Sequence, residues 1–242
     1  MGMPITLEIV GKAVTDRPFG AVRDYFTTVD ETFSTYKPTS EISRINRGQL
    51  AVDDWSPEVT MVLELCEATR QATHGYFDIR RDGAIDPSGL VKGWAIKHAA
   101  ELLRQKGAQN FCLEVGGDIQ VAGRNAKGER WRIGLRNPFN RDEIVKTVTV
   151  ESEGVATSGT AERGAHIYNP HSLAKLVSEV VSLTVIGPDI YEADRFATAA
   201  FAMGRAGIDF IERLDGFEGY IIDDRRLATL TSGFDRYVVV PE

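Results

Sequence analysis

Cysteine is almost missing from this chain: Cys66 and Cys112 are the only two in 242 residues. Both lie among apolar neighbours and read as buried thiols, so a disulfide scaffold is not the organising principle. No Cys-x-x-Cys pair or Cys/His cluster occurs, which argues against structural zinc. Positive charge is also short. Lys and Arg number 28 against 35 Asp and Glu, for a net charge of −7 and a pI near 5.3. That balance argues against a nucleic-acid backbone or an anionic membrane as the main partner. It leaves a phosphate ligand open, because a metal ion supplies local positive charge. No apolar run reaches the length of a transmembrane helix. The opening MGMPITLEIV alternates like a strand and lacks a basic segment followed by a long apolar stretch. A cytoplasmic protein without a membrane anchor is therefore expected. No repeat, low-complexity tract or linker divides the sequence, so a single domain over 1–242 is expected. No Gly-x-Gly-x-x-Gly turn leads a strand into a helix, which removes the dinucleotide fingerprint of a doubly wound sheet.

What is present is a switch of periodicity along the chain. Ile5, Leu7 and Ile9 alternate as a half-buried strand. Asp16 and Pro18 then mark a helix start, followed by the stripe Phe19, Val22, Phe26, Val29 and Phe33. Pro38 ends that helix, and Ser40 caps a short turn through Asn46. Ser56-Pro57 opens a second long helix that closes at Gly75. Phe77-Asp78-Ile79 reads as a short strand. A third helix is expected from about Lys92 to Lys106. From Phe111 onward strands dominate, at Phe111–Val115, Ile119–Ala122, Trp131–Leu135, Val145–Val150, Val155–Thr157 and Val180–Ile186. Asn125-Ala-Lys-Gly128 reads as a hairpin loop. Helices return at Tyr191–Met203 and Ile208–Leu214, and Gly219–Ile222, Leu227–Thr231 and Tyr237–Val240 close the chain as strands. Early helices and late hairpin-linked strands favour an α+β fold with a largely antiparallel sheet.

Four segments carry small and polar residues where a plain core has no use for them. Asp86-Pro-Ser-Gly-Leu-Val-Lys92-Gly93 leads a loop into a helix whose first turn would expose amides beside a lysine, a setting for an anion. An Asp-Pro turn before an ordinary helix is the competing reading. Glu114-Val-Gly116-Gly117-Asp118 permits close backbone approach of a ligand, or simply a tight turn. Thr157-Ser158-Gly159 offers donors to phosphate oxygens, and His166 follows shortly after. Asp194 and Thr198 stand four apart on a helix and share a face, giving a hard, oxygen-rich half-site suited to Mg²⁺. An Asp placed by the helix dipole, with Thr198 in the core, explains the same pair.

Taken together and in order, these segments resemble the ApbE-type flavin transferase family. Met1-Gly2 is similar to that family's opening. Ser34-Thr-Tyr36-Lys-Pro38-Thr-Ser40-Glu-Ile-Ser43-Arg-Ile-Asn46, Gly75-Tyr-Phe-Asp78, Asp86 through Ala95, Gly116-Gly117-Asp118, Ala156-Thr-Ser-Gly159, His166-Ile-x-x-Pro170 and Ala193-Asp194-x-x-Ala197-Thr198-Ala199 complete the likeness, which spans nearly the whole chain. The resemblance implies an α+β core with a flavin in a cleft between two lobes. It implies FAD contacts at Met1, Tyr36, Tyr76, Phe77, Asp78, Asp86, Lys92, His166 and Ile167. Asn46, Gly117, Thr157, Ser158 and Gly159 complete the set of candidate contacts. It implies Mg²⁺ ligands at Asp194, Thr198 and the Gly89 carbonyl. Residues 79–85 form a much shorter connection than the family pattern, so a more open wall is expected there. Asn169-Pro170-His171-Ser172-Leu173 departs from the family's Asp-Pro-Arg-Thr-Gly.

The activity implied is Mg²⁺-dependent transfer of FMN from FAD to a Thr or Ser hydroxyl of an acceptor flavoprotein, at an Asp-x-x-(Ser/Thr)-Gly-Ala-Thr-like segment, with release of AMP. His166 is the first candidate for general base and Asp118 the second, with Lys92 as a positive contact. An FAD pyrophosphatase and a non-catalytic FAD-binding protein are the competing readings.

Overall fold

The computed structural model describes residues 2–11, 17–160, 168–172 and 177–239. Eleven strands and six helices are described, beginning with β1 (Ile5–Val10), α1 (Arg17–Phe33), α2 (Glu41–Asn46) and α3 (Pro57–Ala72). A two-residue-per-strand hairpin, β2 (Arg80–Arg81) and β3 (Ala84–Ile85), leads into α4 (Ser88–Gln105). Then come β4 (Asn110–Val115), β5 (Asp118–Ala122), β6 (Trp131–Asn137), β7 (Asn140–Val150), β8 (Gly154–Gly159) and β9 (Val180–Gly187). Helices α5 (Ile190–Ala202) and α6 (Gly207–Glu212) precede β10 (Glu218–Asp223) and β11 (Ala228–Leu230).

Seven strands form one sheet in the order β1-β4-β5-β8-β9-β10-β11, and every pairing is antiparallel. The α+β fold expected from the pattern is the fold found. The sheet is covered on both faces, so its central strands carry apolar residues on both sides. In β10, Ile221 faces the helices while Tyr220 and Ile222 face the opposite core. The helical core joins Val22, Phe26 and Val29 of α1 to Leu90, Ile96 and Leu103 of α4 and to Phe111 and Leu113 of the sheet. The second core packs Trp131, Ile133 and Leu135 of β6 and Val148 and Val150 of β7 against Val121, Val155 and Ile186. The β6–β7 hairpin forms its own two-stranded layer lying on the main sheet, with a single bridge from β7 to the C-terminal segment at Val148–Val238.

Local chemistry explains the boundaries. Ser40 Oγ accepts the Ser43 N–H and Ser56 Oγ accepts the Val59 N–H, so both helices open on a serine cap. Gly116 and Gly117 take φ of 57° and 90°, a two-residue turn of mirror-image hand that matches the twist of the β4–β5 hairpin. Gln120 is buried at 2% exposure; its Nε2 donates to the Ser152 carbonyl at 2.8 Å and its Oε1 accepts the Ile190 N–H at 2.8 Å. That side chain therefore holds the first amide of α5 against the sheet. Gln120→Leu leaves the buried Ile190 N–H unsatisfied, and the expected loss is about 1–3 kcal/mol in urea unfolding.

Several sequence expectations are corrected. Helix α4 begins at Ser88, not Lys92, because the Asp86 carboxylate accepts the Ser88 N–H at 3.0 Å and turns the chain earlier. Phe77-Asp78-Ile79 is not a strand; the chain bends there before β2. Thr157-Ser158-Gly159 all belong to β8, which runs two residues past the expected strand end at Thr157. Phe234–Tyr237 is a 3-10 turn, and only Val238 bridges to Val148. The buried stripe of α1 starts at Pro18, with Phe19 38% exposed. Asp16, expected with Pro18 at the helix start, lies outside the described residues.

Candidate active site

A cleft of about 580 Å³ opens between the helix-covered sheet and the β6–β7 layer. Its floor is made by the N-terminal half of α4, one face of α5 and the ends of β5 and β8. Asp194 and Thr198 lie on the α5 face turned toward α4, as their spacing of one turn requires. The Thr198 hydroxyl sits 3.5 Å from the Gly89 carbonyl oxygen. Gly93 allows α4 to approach this closely, since a Cβ there would stand 2.7 Å from Asp194 Cβ and 2.8 Å from the Ile190 carbonyl oxygen.

The charged centre is a buried triad. Lys92 Nζ lies 2.6 Å from Asp118 Oδ2 and 3.4 Å from Asp194 Oδ1. Asp118 is 0% exposed and Asp194 2%. Asp118 Oδ1 accepts the Thr157 N–H at 3.1 Å, and Asp194 Oδ2 accepts the Gly93 N–H at 2.8 Å. One ammonium thus faces two buried carboxylates, leaving one formal negative charge uncompensated in a desolvated place. Burial pushes the Asp194 carboxyl well above the ordinary aspartate range; Lys92 opposes the shift and the Asp118 charge adds to it.

This donor set fits a small hard cation. A carbonyl, a hydroxyl and a carboxylate meet at a place with surplus negative charge, and Mg²⁺ characteristically takes few protein oxygens and completes its shell with phosphate and water. Among the described residues, no group of three or more His, Cys, Asp or Glu side chains is placed to hold a metal by itself.

The other expected site residues divide in two. Tyr76, Phe77, Asp78, Asp86, Gly117, Thr157, Ser158 and Gly159 all line the cleft with Lys92, Gly89, Asp194 and Thr198. Thr157 Oγ1 shares a hydrogen bond with Thr184 Oγ1 at 2.9 Å, and Ser158 is buried. Asn46 does not reach the cleft. Its side-chain amide pairs with both backbone groups of Ile85 at 2.9 Å, acting as an extra strand partner for the β2–β3 hairpin. Tyr36 is 95% exposed and stands outside the cleft lining. Met1, His166 and Ile167 lie outside the described residues.

Three contributors to the cleft were not named as candidate site residues from the sequence. The first is the β6–β7 hairpin, which brings Arg132, Arg136 and Arg141 to one wall. The second is the pair Glu8 of β1 and Glu114 of β4, which line the same space. The third is the turn at 168–172. Tyr168 donates its hydroxyl to the Arg80 carbonyl at 3.3 Å and lies under the Arg81 guanidinium at 4.7 Å. His171 braces Tyr76 edge-on at 4.6 Å between ring centres and bonds the His74 carbonyl at 3.0 Å. The short 79–85 connection is therefore a hairpin tied to this turn.

A family model described as the ApbE family matches residues 1–83 and 79–221. An FAD:protein FMN transferase of Salmonella typhimurium is 29% identical over 147 residues, covering 57% of this chain and 42% of its own length. One from Vibrio cholerae is 31% identical over 129 residues, covering 50% of this chain and 39% of its own. The matched stretch thus spans less than half the length of these curated relatives. Among solved structures, the flavin transferase ApbE from Vibrio cholerae superposes with a TM-score of 0.84 at 21% identity, over 98% of this chain and 96% of that one. An ApbE protein from Thermotoga maritima gives a TM-score of 0.86 at 20% identity, over 99% and 97%. Among the described residues, no helix is long and apolar enough to cross a membrane.

Proposed function

The chain belongs to the ApbE family, and from that premise we propose that it transfers the FMN half of FAD to a Thr or Ser hydroxyl of an acceptor flavoprotein and releases AMP. The observation that carries this reading is the buried Lys92–Asp118–Asp194 triad beside the Thr198 hydroxyl and Gly89 carbonyl. A site with surplus buried carboxylate and few protein oxygens is built for a cation that arrives with a polyphosphate. The similarity to FAD:protein FMN transferases supports the same assignment.

Asp194, Thr198 and the Gly89 carbonyl would hold Mg²⁺, which when bound supplies charge neutralisation to the pyrophosphate. Lys92, fixed by its two carboxylates, contributes a positive contact that needs no reorganisation during reaction. In the transfer, the acceptor hydroxyl oxygen bonds to the phosphorus nearer riboflavin. The bond from that phosphorus to the bridging oxygen breaks, and AMP leaves with the electron pair. The hydroxyl proton passes to a base. Asp118 is already committed to Lys92 and to the Thr157 amide, so its part is to position Lys92. His166 remains the proposed base. Tyr76, Phe77, Asp78 and Asp86 would border the flavin end of the cleft.

Mass spectrometry of an acceptor incubated with the protein, FAD and Mg²⁺ tests the proposal. Covalent FMN on the acceptor is the expected result. Free FMN and AMP without acceptor labelling would make the protein a pyrophosphatase, and intact FAD after long incubation would make it a binding protein.

A further inference from the structure

The wall formed by β6 has a geometry that flavin transfer alone does not require. Successive side chains of a strand point to opposite faces. Yet residues 132–138 line the cleft without a break. The space therefore runs along the backbone edge of β6, not only over one face. That edge is open: β6 pairs with β7 alone, and among the described residues no other backbone group bonds to 132–137. In an antiparallel pair, alternate residues of a strand turn their N–H and C=O away from the existing partner. The pairing of β6 with β7 is regular from Trp131 to Leu135 and shifts register at Leu135/Arg136 and again at Arg136/Asn137, so the regular part of the edge ends at Leu135. Open edges are usually shortened, bulged or covered.

The same wall is basic in an acidic protein. Arg132, Gly134 and Arg136 alternate outward along β6, and Arg141 follows at the hairpin tip. Among the described residues, none of these three arginines has a carboxylate partner; Arg136 donates only to the Arg141 carbonyl at 3.1 Å. Carboxylates at Glu8 and Glu114 line the same cleft.

We propose that the open edge of β6 docks the acceptor: an extended, acidic segment adds as a strand beside residues 132–135, its carboxylates against Arg132 and Arg136. The inference rests on the transfer reading and specifies its partner. Main-chain hydrogen bonds give affinity with little demand on sequence, and the arginines select acidic segments. Because β6 and Lys92 border one continuous space, a segment held there delivers its hydroxyl to the triad.

The test is fluorescence anisotropy of the full chain with a labelled peptide containing Asp-x-x-Thr-Gly-Ala-Thr, made in versions N-methylated at one residue each. Strand addition predicts that methylation at alternate residues weakens binding about tenfold while the intervening residues respond little. The double variant Arg132→Glu/Arg136→Glu is expected to weaken binding about tenfold or more, and added salt to weaken the wild type. A non-alternating response, full-strength binding by a folded double variant, or no binding by the wild type overturns the proposal. So does a double variant whose KM rises for FAD alone, which would assign the arginines to the nucleotide. The methylation series uses unaltered protein, so it decides even if the double variant misfolds. Mass spectrometry on the same samples separates the two claims. An alternating pattern without covalent FMN sinks the transfer reading and keeps the docking edge; covalent FMN without the pattern does the reverse.

Discussion

Asp194→Ala should cut Mg²⁺-dependent FAD turnover by roughly 10³-fold, about 4 kcal/mol of barrier, while the protein stays folded. The two halves of that result come from the same carboxylate. It is the only charged oxygen in the candidate cation set, and it sits 2% exposed with its oxygens fixed by the Gly93 amide and Lys92. Its removal leaves Thr198 and the Gly89 carbonyl, two neutral oxygens, which hold Mg²⁺ poorly. Stability behaves differently. Burial raises the Asp194 pKa above its unfolded value. Such an acid contributes stability that is fully present below the ordinary aspartate range and lost as the pH rises through the raised value. At pH 8 the ionised carboxylate therefore weighs against folding. The alanine relieves that cost and lets Lys92 pair with Asp118 alone, offset by the lost Gly93 bond. The net change in Tm should be within a few degrees, and the variant should compare better with wild type at pH 8 than at pH 5, both in chelator. Full turnover of the variant at low Mg²⁺ would refute the cation assignment. A variant that loses far more stability at pH 8 than at pH 5 would refute the account of Asp194 as a strained charge.

The α+β pattern was readable because each element carries its own signals. Ser40 and Ser56 announce helix starts, and Gly116-Gly117 announces a hairpin. The floor of the site was readable for a similar reason. Asp194 and Thr198 share a face by helix geometry alone, and that face does meet Gly89. The walls were not readable, because they depend on which layers stack. Arg132, Gly134 and Arg136 are the polar face of an alternating strand, and such a face looks the same whether it meets bulk water or a cleft. Asn46 is the opposite case. It sits in a polar segment shared with residues expected at the flavin, but an exposed amide satisfies a neighbouring backbone as readily as a ligand, and here Ile85 takes both of its groups. Lys92 was expected at an exposed helix start; Asp86 begins the helix four residues earlier and places Lys92 where two carboxylates can hold it.

Gly93→Ala should lower both stability and activity, and activity more. At an ordinary helix position this substitution stabilises by about 1 kcal/mol, since alanine is the better helix former. At Gly93 the new methyl would stand 2.7 Å from Asp194 Cβ and 2.8 Å from the Ile190 carbonyl oxygen, closer than atoms settle without movement. A backbone carbonyl of α5 has no rotamer with which to yield, so α4 and α5 must separate. Forcing a methyl into a packed contact costs about 1–3 kcal/mol, which for a chain of this size lowers Tm by several degrees. The separation acts on the site directly. It parts the Asp194 carboxylate and Thr198 from Gly89 and Lys92, which sit on the other helix. A shift near 1 Å between reacting groups is worth about a hundredfold in rate. Gly20→Ala is the matched control, because a Cβ at Gly20 in α1 meets nothing within 4 Å. It should raise Tm slightly and leave turnover unchanged. Tm and kcat of the two variants, measured side by side, give opposite signs if helix contact at Gly93 sets the site's geometry. Equal behaviour of the two alanines would show that the close crossing is not what holds the two half-sites together.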